Sequence, residues 1–120
     1  MNVEIVERNN RRVAVVSGEL PIITDGQSAL EFVVNIGYEH ECRGIAVPKA
    51  AFAENFFRLA TGVAGEVAQK FVNYGYRVAV FGDFSGYTSQ PLQDYIRESN
   101  KGRHLYFVAD EEAAVRRLTK

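Results

Sequence analysis

The chain has 120 residues, of which 47% are hydrophobic and 24% are charged, with a formal net charge of -1. This size and balance are typical of a single globular domain and exclude a disordered chain. The near-zero net charge gives no electrostatic reason to expect nucleic acid, and no apolar run reaches the ~18 residues of a membrane span. Because the only cysteine, Cys42, excludes an internal disulfide, we expect a cytoplasmic protein.

No metal or other cofactor is expected. His40, Glu41 and Cys42 are adjacent, but a metal site needs three or four converging ligands, and the other histidine is His104. Cys42 also lacks a recognisable basic partner that would make it a nucleophile.

The N-terminal residues predict a β-hairpin. Apolar and polar residues alternate over 3–8, the pair Asn9-Asn10 favours a tight turn, and 12–16 is apolar after its first residue. A helix follows, capped by Thr24 or Asp25 and continuing to about Gly37.

The middle of the chain alternates strands and helices. Residues 44–47 predict a short buried strand, and 50–59 and 63–74 predict two helices that Thr61-Gly62 separates. A second buried strand is expected over 77–81.

Two helices and a strand complete the pattern. One helix begins near Ser89 with Pro91 in its first turn, a last strand covers 104–108, and Asp110 caps a final helix. The order is β-β-α-β-α-α-β-α-β-α over one α/β domain, 1–120. This order predicts a single mixed, mainly parallel sheet covered by helices.

Two phrases in this sequence go beyond secondary-structure pattern. The first runs over 59–74 and begins LATGVAGE, and the second runs over 82–102 and begins GDFSGYTS. Together they resemble a bacterial family known as domain of unknown function 4180. The resemblance covers the chain from about residue 20 onward. It implies membership of a family but no particular activity.

The order of elements is also similar to that of STAS domains, the fold of anti-sigma-factor antagonists. Those domains bind partner proteins, and many are switched by phosphorylation of a serine or threonine at the start of the helix after the third strand. The resemblance implies Thr61 as the phosphorylated residue here. The aspartate that usually precedes the switch residue is replaced by the stretch 58–60, and the helical pattern 50–59 is additional.

A polar loop follows the strand predicted at 77–81, and it is the candidate ligand site. Helix N-termini leave N–H groups free to hold an anion, so this loop, with Glu66 nearby, could bind a small anionic or phosphorylated ligand. The loop side chains in question are Asp83, Ser85, Thr88 and Ser89. The alternative is that Asp83 stabilises a turn and Ser89 caps the next helix. Glu66 has two alternatives of its own, a surface salt bridge with Lys70 and a general acid or base.

Three phenylalanines lie close together in the sequence, at Phe52, Phe56 and Phe57. They are most simply core residues, but one helical stripe cannot hide three large rings. Part of this face is therefore a candidate interface for a homodimer or another protein partner.

Two functions remain open from the sequence. The first is a non-catalytic regulatory module that binds a protein partner. The alternative is a small-molecule or phosphorylated-ligand site at the loop after 77–81, which could be enzymatic.

Overall fold

The computed structural model describes all residues from 1 to 120 and contains one five-stranded sheet in the order β1-β2-β3-β4-β5. The strands are β1 (Asn2–Arg8), β2 (Arg11–Ser17), β3 (Gly44–Pro48), β4 (Arg77–Phe81) and β5 (Leu105–Val108). The helices are α1 (Gly26–His40), α2 (Val63–Tyr74), α3 (Gln90–Asn100) and α4 (Glu111–Leu118). β1 is antiparallel to β2, and β2 to β5 are parallel, so the predicted α/β class with a mainly parallel sheet is confirmed.

The hairpin between β1 and β2 turns at the predicted pair of asparagines. Asn9 and Asn10 have φ angles of 55° and 62°. Two consecutive left-handed residues match the twist of paired strands, and asparagine adopts this conformation more readily than most residues. The turn fixes the register that pairs Arg8 with Arg11.

The two faces of the sheet are covered by different helices. α1, α2 and α3 pack on one face with the inward side chains of the parallel strands, such as Val16, Val47 and Val80. α4 covers the opposite face and packs against the alternate side chains, such as Val15 and Ala79. Because successive residues of a strand point to opposite faces, each parallel strand contributes to both cores.

The helix caps follow from residue type, as expected. The Asp25 carboxylate accepts the N–H of Ser28 at 2.8 Å, and Asp110 accepts the N–H of Ala113 at 2.8 Å. α1 continues one turn beyond the predicted end at Gly37, and it stops where Glu41 adopts a left-handed conformation with φ 52°. Gly37 lies inside the helix and does not end it. Its small size serves packing, because a Cβ atom there would lie 2.6 Å from Tyr76 Cε1.

The segment predicted as a helix over 50–59 is instead a chain of three short 3-10 helices, at Lys49–Ala51, Glu54–Phe57 and Leu59–Thr61. Between the first two, the backbone is extended and forms a parallel bridge in which Ile23 N–H donates to Ala51 O at 2.8 Å. A continuous helix would bury one stripe only. The bent path buries all three phenylalanines of this segment.

None of the helices combines the length and apolar character that crossing a membrane would require.

Candidate functional site

The candidate site lies at the carboxyl ends of β3 and β4, where the two strands are followed by Lys49 and Gly82. A Cβ atom on Gly82 would lie 2.8 Å from the Cβ of Lys49, so the glycine allows the two strand ends to approach. The Lys49 ammonium then donates a hydrogen bond to the carbonyl oxygen of Asp83 at 2.8 Å. This bond ties the start of the loop 82–89 to the end of β3.

Tyr87 docks the far part of the same loop onto the 3-10 segment. Its ring is stacked on Phe57 with centroids 4.9 Å apart and an interplanar angle of 19°. Its hydroxyl donates to Glu54 Oε1 at 3.0 Å, and the Lys49 ammonium lies 4.6 Å from its ring centroid. Desolvation, followed by the hydrogen bond to Glu54, raises the pKa of Tyr87 to about 12. The phenol is therefore protonated at neutral pH.

The predicted ligand residues of the loop make local hydrogen bonds. Asp83 Oδ1 accepts the N–H of Ser85 at 2.9 Å, and the hydrogen bonds from Ser85 lower the pKa of Asp83. Ser89 Oγ lies 3.5 Å from the N–H of Leu92 and caps α3. Ser85 and Thr88 are exposed. The geometry is that of a turn and a cap, and a ligand-binding role for these four residues stays a prediction.

Glu66 lies on α2 and reaches the N-terminus of α1. Its Oε1 accepts the N–H of Gly26 at 3.0 Å, where the carboxylate also complements the helix dipole. A Cβ atom on Gly26 would lie 2.6 Å from Glu66 Cγ, so the contact depends on the glycine. Glu66 thus binds a helix terminus instead of the expected partner, Lys70.

Thr61 lies two residues before the first residue of α2, which is the first α-helix after β3. Its hydroxyl lies 2.7 Å from Asn55 O and 2.8 Å from Arg58 O, and it accepts the N–H of Val63 at 3.3 Å. The N-cap residue Gly62 has φ 79° and no side chain with which to cap the helix. Thr61 is exposed. Its hydroxyl therefore holds the last 3-10 turn and the first turn of α2 together.

The three phenylalanines proposed as an interface are core residues. Phe52, Phe56 and Phe57 are 5%, 0% and 4% exposed, and the ring centroids of neighbouring pairs lie 4.7 Å and 4.9 Å apart. Their rings leave almost no surface for a partner to contact. The exposed residues of this region are Glu54 and Arg58.

The sequence-based prediction missed the residues that hold the site together, namely Lys49, Glu54 and Tyr87. A usable signal was present, because Lys49 directly follows a predicted parallel strand, and the carboxyl ends of such strands lie at one edge. Lys49 and Glu54 line a shallow cleft of about 510 Å³, together with Phe57 and Gly82 among others. No three His, Cys, Asp or Glu side chains are grouped so that they could hold a metal ion.

No curated protein and no solved structure matches the chain. The family model described as "Domain of unknown function (DUF4180)" matches residues 8–118, which extends the resemblance seen in the sequence toward the N-terminus. The chain therefore belongs to the DUF4180 family.

Proposed function

We propose that this chain is a bacterial, cytoplasmic, non-catalytic regulatory module that binds a partner protein and is controlled by phosphorylation of Thr61. The observation that carries the proposal is the position of Thr61, exposed at the N-terminus of the first α-helix after the third strand. A STAS-like element order would give a switch residue this same position. The partner is either a second copy of this chain or another protein.

The proposed binding surface, which we call the α2 entry surface, consists of Arg58, Ala60, Thr61, Gly62 and Gly65, all of which are exposed. Cβ atoms on Gly62 and Gly65 would have no neighbour within 4 Å, so the backbone here is open to close approach. A partner could therefore reach the free N–H groups of the helix start directly.

Phosphorylation would change this surface in two ways. A phosphoryl group carries a charge of about -1.5 to -2 near pH 7 and favours a helix N-terminus, so it would add charge where α2 begins. It would also remove the hydroxyl proton that Thr61 shares between Asn55 O and Arg58 O. The last 3-10 turn would lose that support while the neighbouring Arg58 gained an anionic partner.

The test is native mass spectrometry of the chain purified from its own host, followed by mapping of any covalent adduct. We expect one phosphoryl group on Thr61 and a bound polypeptide whose retention differs between Thr61→Glu and Thr61→Ser. Thr88→Val is the control, because Thr88 is another exposed threonine at the same edge. A bare monomer with no adduct in growing and stressed cells would contradict the proposal.

A second candidate is a small anionic ligand in the 510 Å³ cleft, because the Lys49 ammonium stands beside it. Against this, the sheet order never reverses, so it lacks the switch-point crevice in which open α/β sheets usually bind ligands. A bound small mass that leaves on denaturation, and is lost in Lys49→Ala, would favour this candidate. If Asp83→Ala and Ser85→Ala lower stability without changing that bound mass, the loop acts only as a turn.

A further inference from the structure

The opposite edge of the sheet, where the parallel strands begin, has a cleft of about 800 Å³ that is larger than the one beside Lys49. We call it the arginine cleft because its lining includes four arginines against two glutamates. The whole chain has 14 basic and 15 acidic residues, so this local excess of positive charge is not a consequence of overall composition. Its arginines are Arg11, Arg12, Arg43 and Arg77.

The Arg77 guanidinium is already hydrogen-bonded within the chain. Its guanidinium donates to Leu118 O at 3.0 Å and to the hydroxyl of Tyr106 at 3.2 Å, which anchors the C-terminus of α4. A guanidinium that already donates hydrogen bonds to helix carbonyls has few N–H groups left for a ligand. Arg77 is therefore a structural wall of the cleft.

The other three arginines retain most of their donors. Arg43 uses one N–H for Tyr74 O at 2.7 Å, and Arg12 is paired only with Glu7 at 3.4 Å in an exposed contact. Exposed ion pairs of this kind contribute little free energy and exchange easily. The Arg11 guanidinium donates no hydrogen bond, but Arg11 and Arg12 are successive residues of β2 and point to opposite faces of the sheet. Arg12 and Arg43 directly precede the paired residues Val13 and Gly44, so these two guanidinium groups are placed to bind one anion.

The rest of the lining includes two tyrosines, two exposed glutamates and the Cys42 thiol. Arg43 lies 5.0 Å from the ring centroid of Tyr76, and Tyr38 in the same lining is 88% exposed. A Cβ atom on Gly37 would lie 2.6 Å from Tyr76 Cε1, so that glycine makes room for the ring. Burial raises the pKa of Cys42, which keeps the thiol protonated, so the charged groups of the lining are the arginines, Glu39 and Glu41.

We propose that the arginine cleft binds a small phosphate ester carrying a flat ring, held by the guanidinium groups of Arg12 and Arg43. Guanidinium groups match phosphate oxygens in charge and in two-point geometry, and two of them suit an anion with more than one negative charge. The cleft volume falls in the range of about 300–1,000 Å³ that is usual for small-molecule sites and exceeds what phosphate alone would fill. The exposed ring of Tyr38 offers a face for the organic part.

The test is a titration of the ¹⁵N-labelled chain with ADP, pyrophosphate and adenosine, followed by amide chemical shifts. We expect saturable shifts confined to 11–13, 37–44 and 76–77, with ADP binding more tightly than pyrophosphate and adenosine binding weakest. Raising the salt concentration should weaken binding, because the contacts are exposed charges. If neither ADP nor pyrophosphate gives saturable shifts at millimolar concentration, the proposal is overturned.

Variants separate the arginine contacts from general effects. Arg12→Ala should weaken ADP binding about ten-fold, because it removes a charge-assisted hydrogen bond, whereas Arg11→Ala, whose side chain points to the other face, should weaken it less. Arg12→Lys should restore part of the loss, whereas Arg58→Ala at the opposite edge should change nothing. Equal affinity in Arg11→Ala, Arg12→Ala and Arg58→Ala would contradict the assignment. The site is independent of the switch, so Thr61→Glu should also bind ADP normally.

Discussion

At the scale of single residues, Tyr87 has the most consequential contacts of the carboxyl edge. Its ring packs on Phe57, its hydroxyl donates to Glu54, and the Lys49 ammonium lies against its face. One side chain therefore joins the 3-10 segment, the end of β3 and the loop before α3. Its protonation state should influence the stability of all three.

We predict that Tyr87→Phe removes a pH-dependent part of the stability. The pKa of Tyr87 is about 12 in the folded chain against an ordinary 10, so folding favours the protonated phenol. This contribution is fully present below about pH 10 and is lost as the pH rises toward 12. Urea unfolding should show the wild type more stable than Tyr87→Phe at neutral pH, with the difference shrinking in alkali.

Tyr38→Phe is the matched control for that experiment, because Tyr38 is 88% exposed and should show no difference at any pH. A gap between wild type and Tyr87→Phe that stays constant up to the alkaline limit would mean that the Glu54 hydrogen bond does not stabilise the fold.

Residue types predicted the local contacts of this chain well and its long-range contacts poorly. Asp110 was predicted as a cap, Asp25 was one of two candidates with Thr24, and a cap at Ser89 was the alternative to a ligand role. Such predictions are possible because a cap bonds to residues two or three positions away. The partnership of Lys49 with Tyr87 depends on which strands are neighbours and on their register. No local pattern contains that information.

At the scale of elements, the segment of 3-10 helices shows tertiary contacts overriding a helical pattern. The spacing of Phe52, Phe56 and Phe57 is that of a helix stripe. The bridge between Ile23 and Phe52, however, requires an extended backbone between the first and the second 3-10 helix. Helical periodicity predicts only that these side chains are buried, and that part of the prediction is confirmed. The contact with Ile23 could not be predicted from periodicity.

The contact between α1 and α2 gives a paired prediction. Gly26→Ala should displace the Glu66 carboxylate, because the new Cβ would lie 2.6 Å from Glu66 Cγ. We expect a loss of about 1 kcal/mol in the free energy of unfolding, typical of a hydrogen bond lost at a helix N-terminus. Thermal or urea unfolding measures the change.

Gly65→Ala provides the control within the same helix pair. Its Cβ would have no neighbour within 4 Å, and alanine favours a helix, so the chain should gain up to about 1 kcal/mol. If both substitutions changed stability by the same amount and sign, the Glu66 contact would not explain the effect at Gly26.

At the scale of the whole molecule, α4 alone covers one face of the sheet. It has eight residues, and its last carbonyls are held by Arg77. The sequence predicted this helix and its cap. Its apolar stripe fits either face, so the sequence did not predict that α4 lies opposite the other three helices.

We predict that Leu118→Ala destabilises the chain by about 2–5 kcal/mol, the usual cost of a cavity in a buried core. Leu118 is 1% exposed and packs in the second core with Val13 and Tyr106. Arg116→Ala, an exposed change on the same helix, should stay within about 0.5 kcal/mol. Urea unfolding followed by circular dichroism distinguishes the two variants. A small effect of Leu118→Ala would mean that packing of α4 on the sheet contributes little to the free energy of unfolding.

The order of the strands has a consequence for how this sheet is assembled during synthesis. From β2 to β5, each strand pairs with the one that precedes it in the chain. A polypeptide leaving the ribosome could therefore add one strand at a time to an existing edge, without waiting for distant partners. The last helix emerges after every strand. Until Glu111 and the residues that follow are released, α1, α2 and α3 can cover one face of the nascent sheet while the apolar side chains of the other face stay exposed to solvent. During that interval, a chaperone that binds exposed apolar surface would have its largest target on this chain.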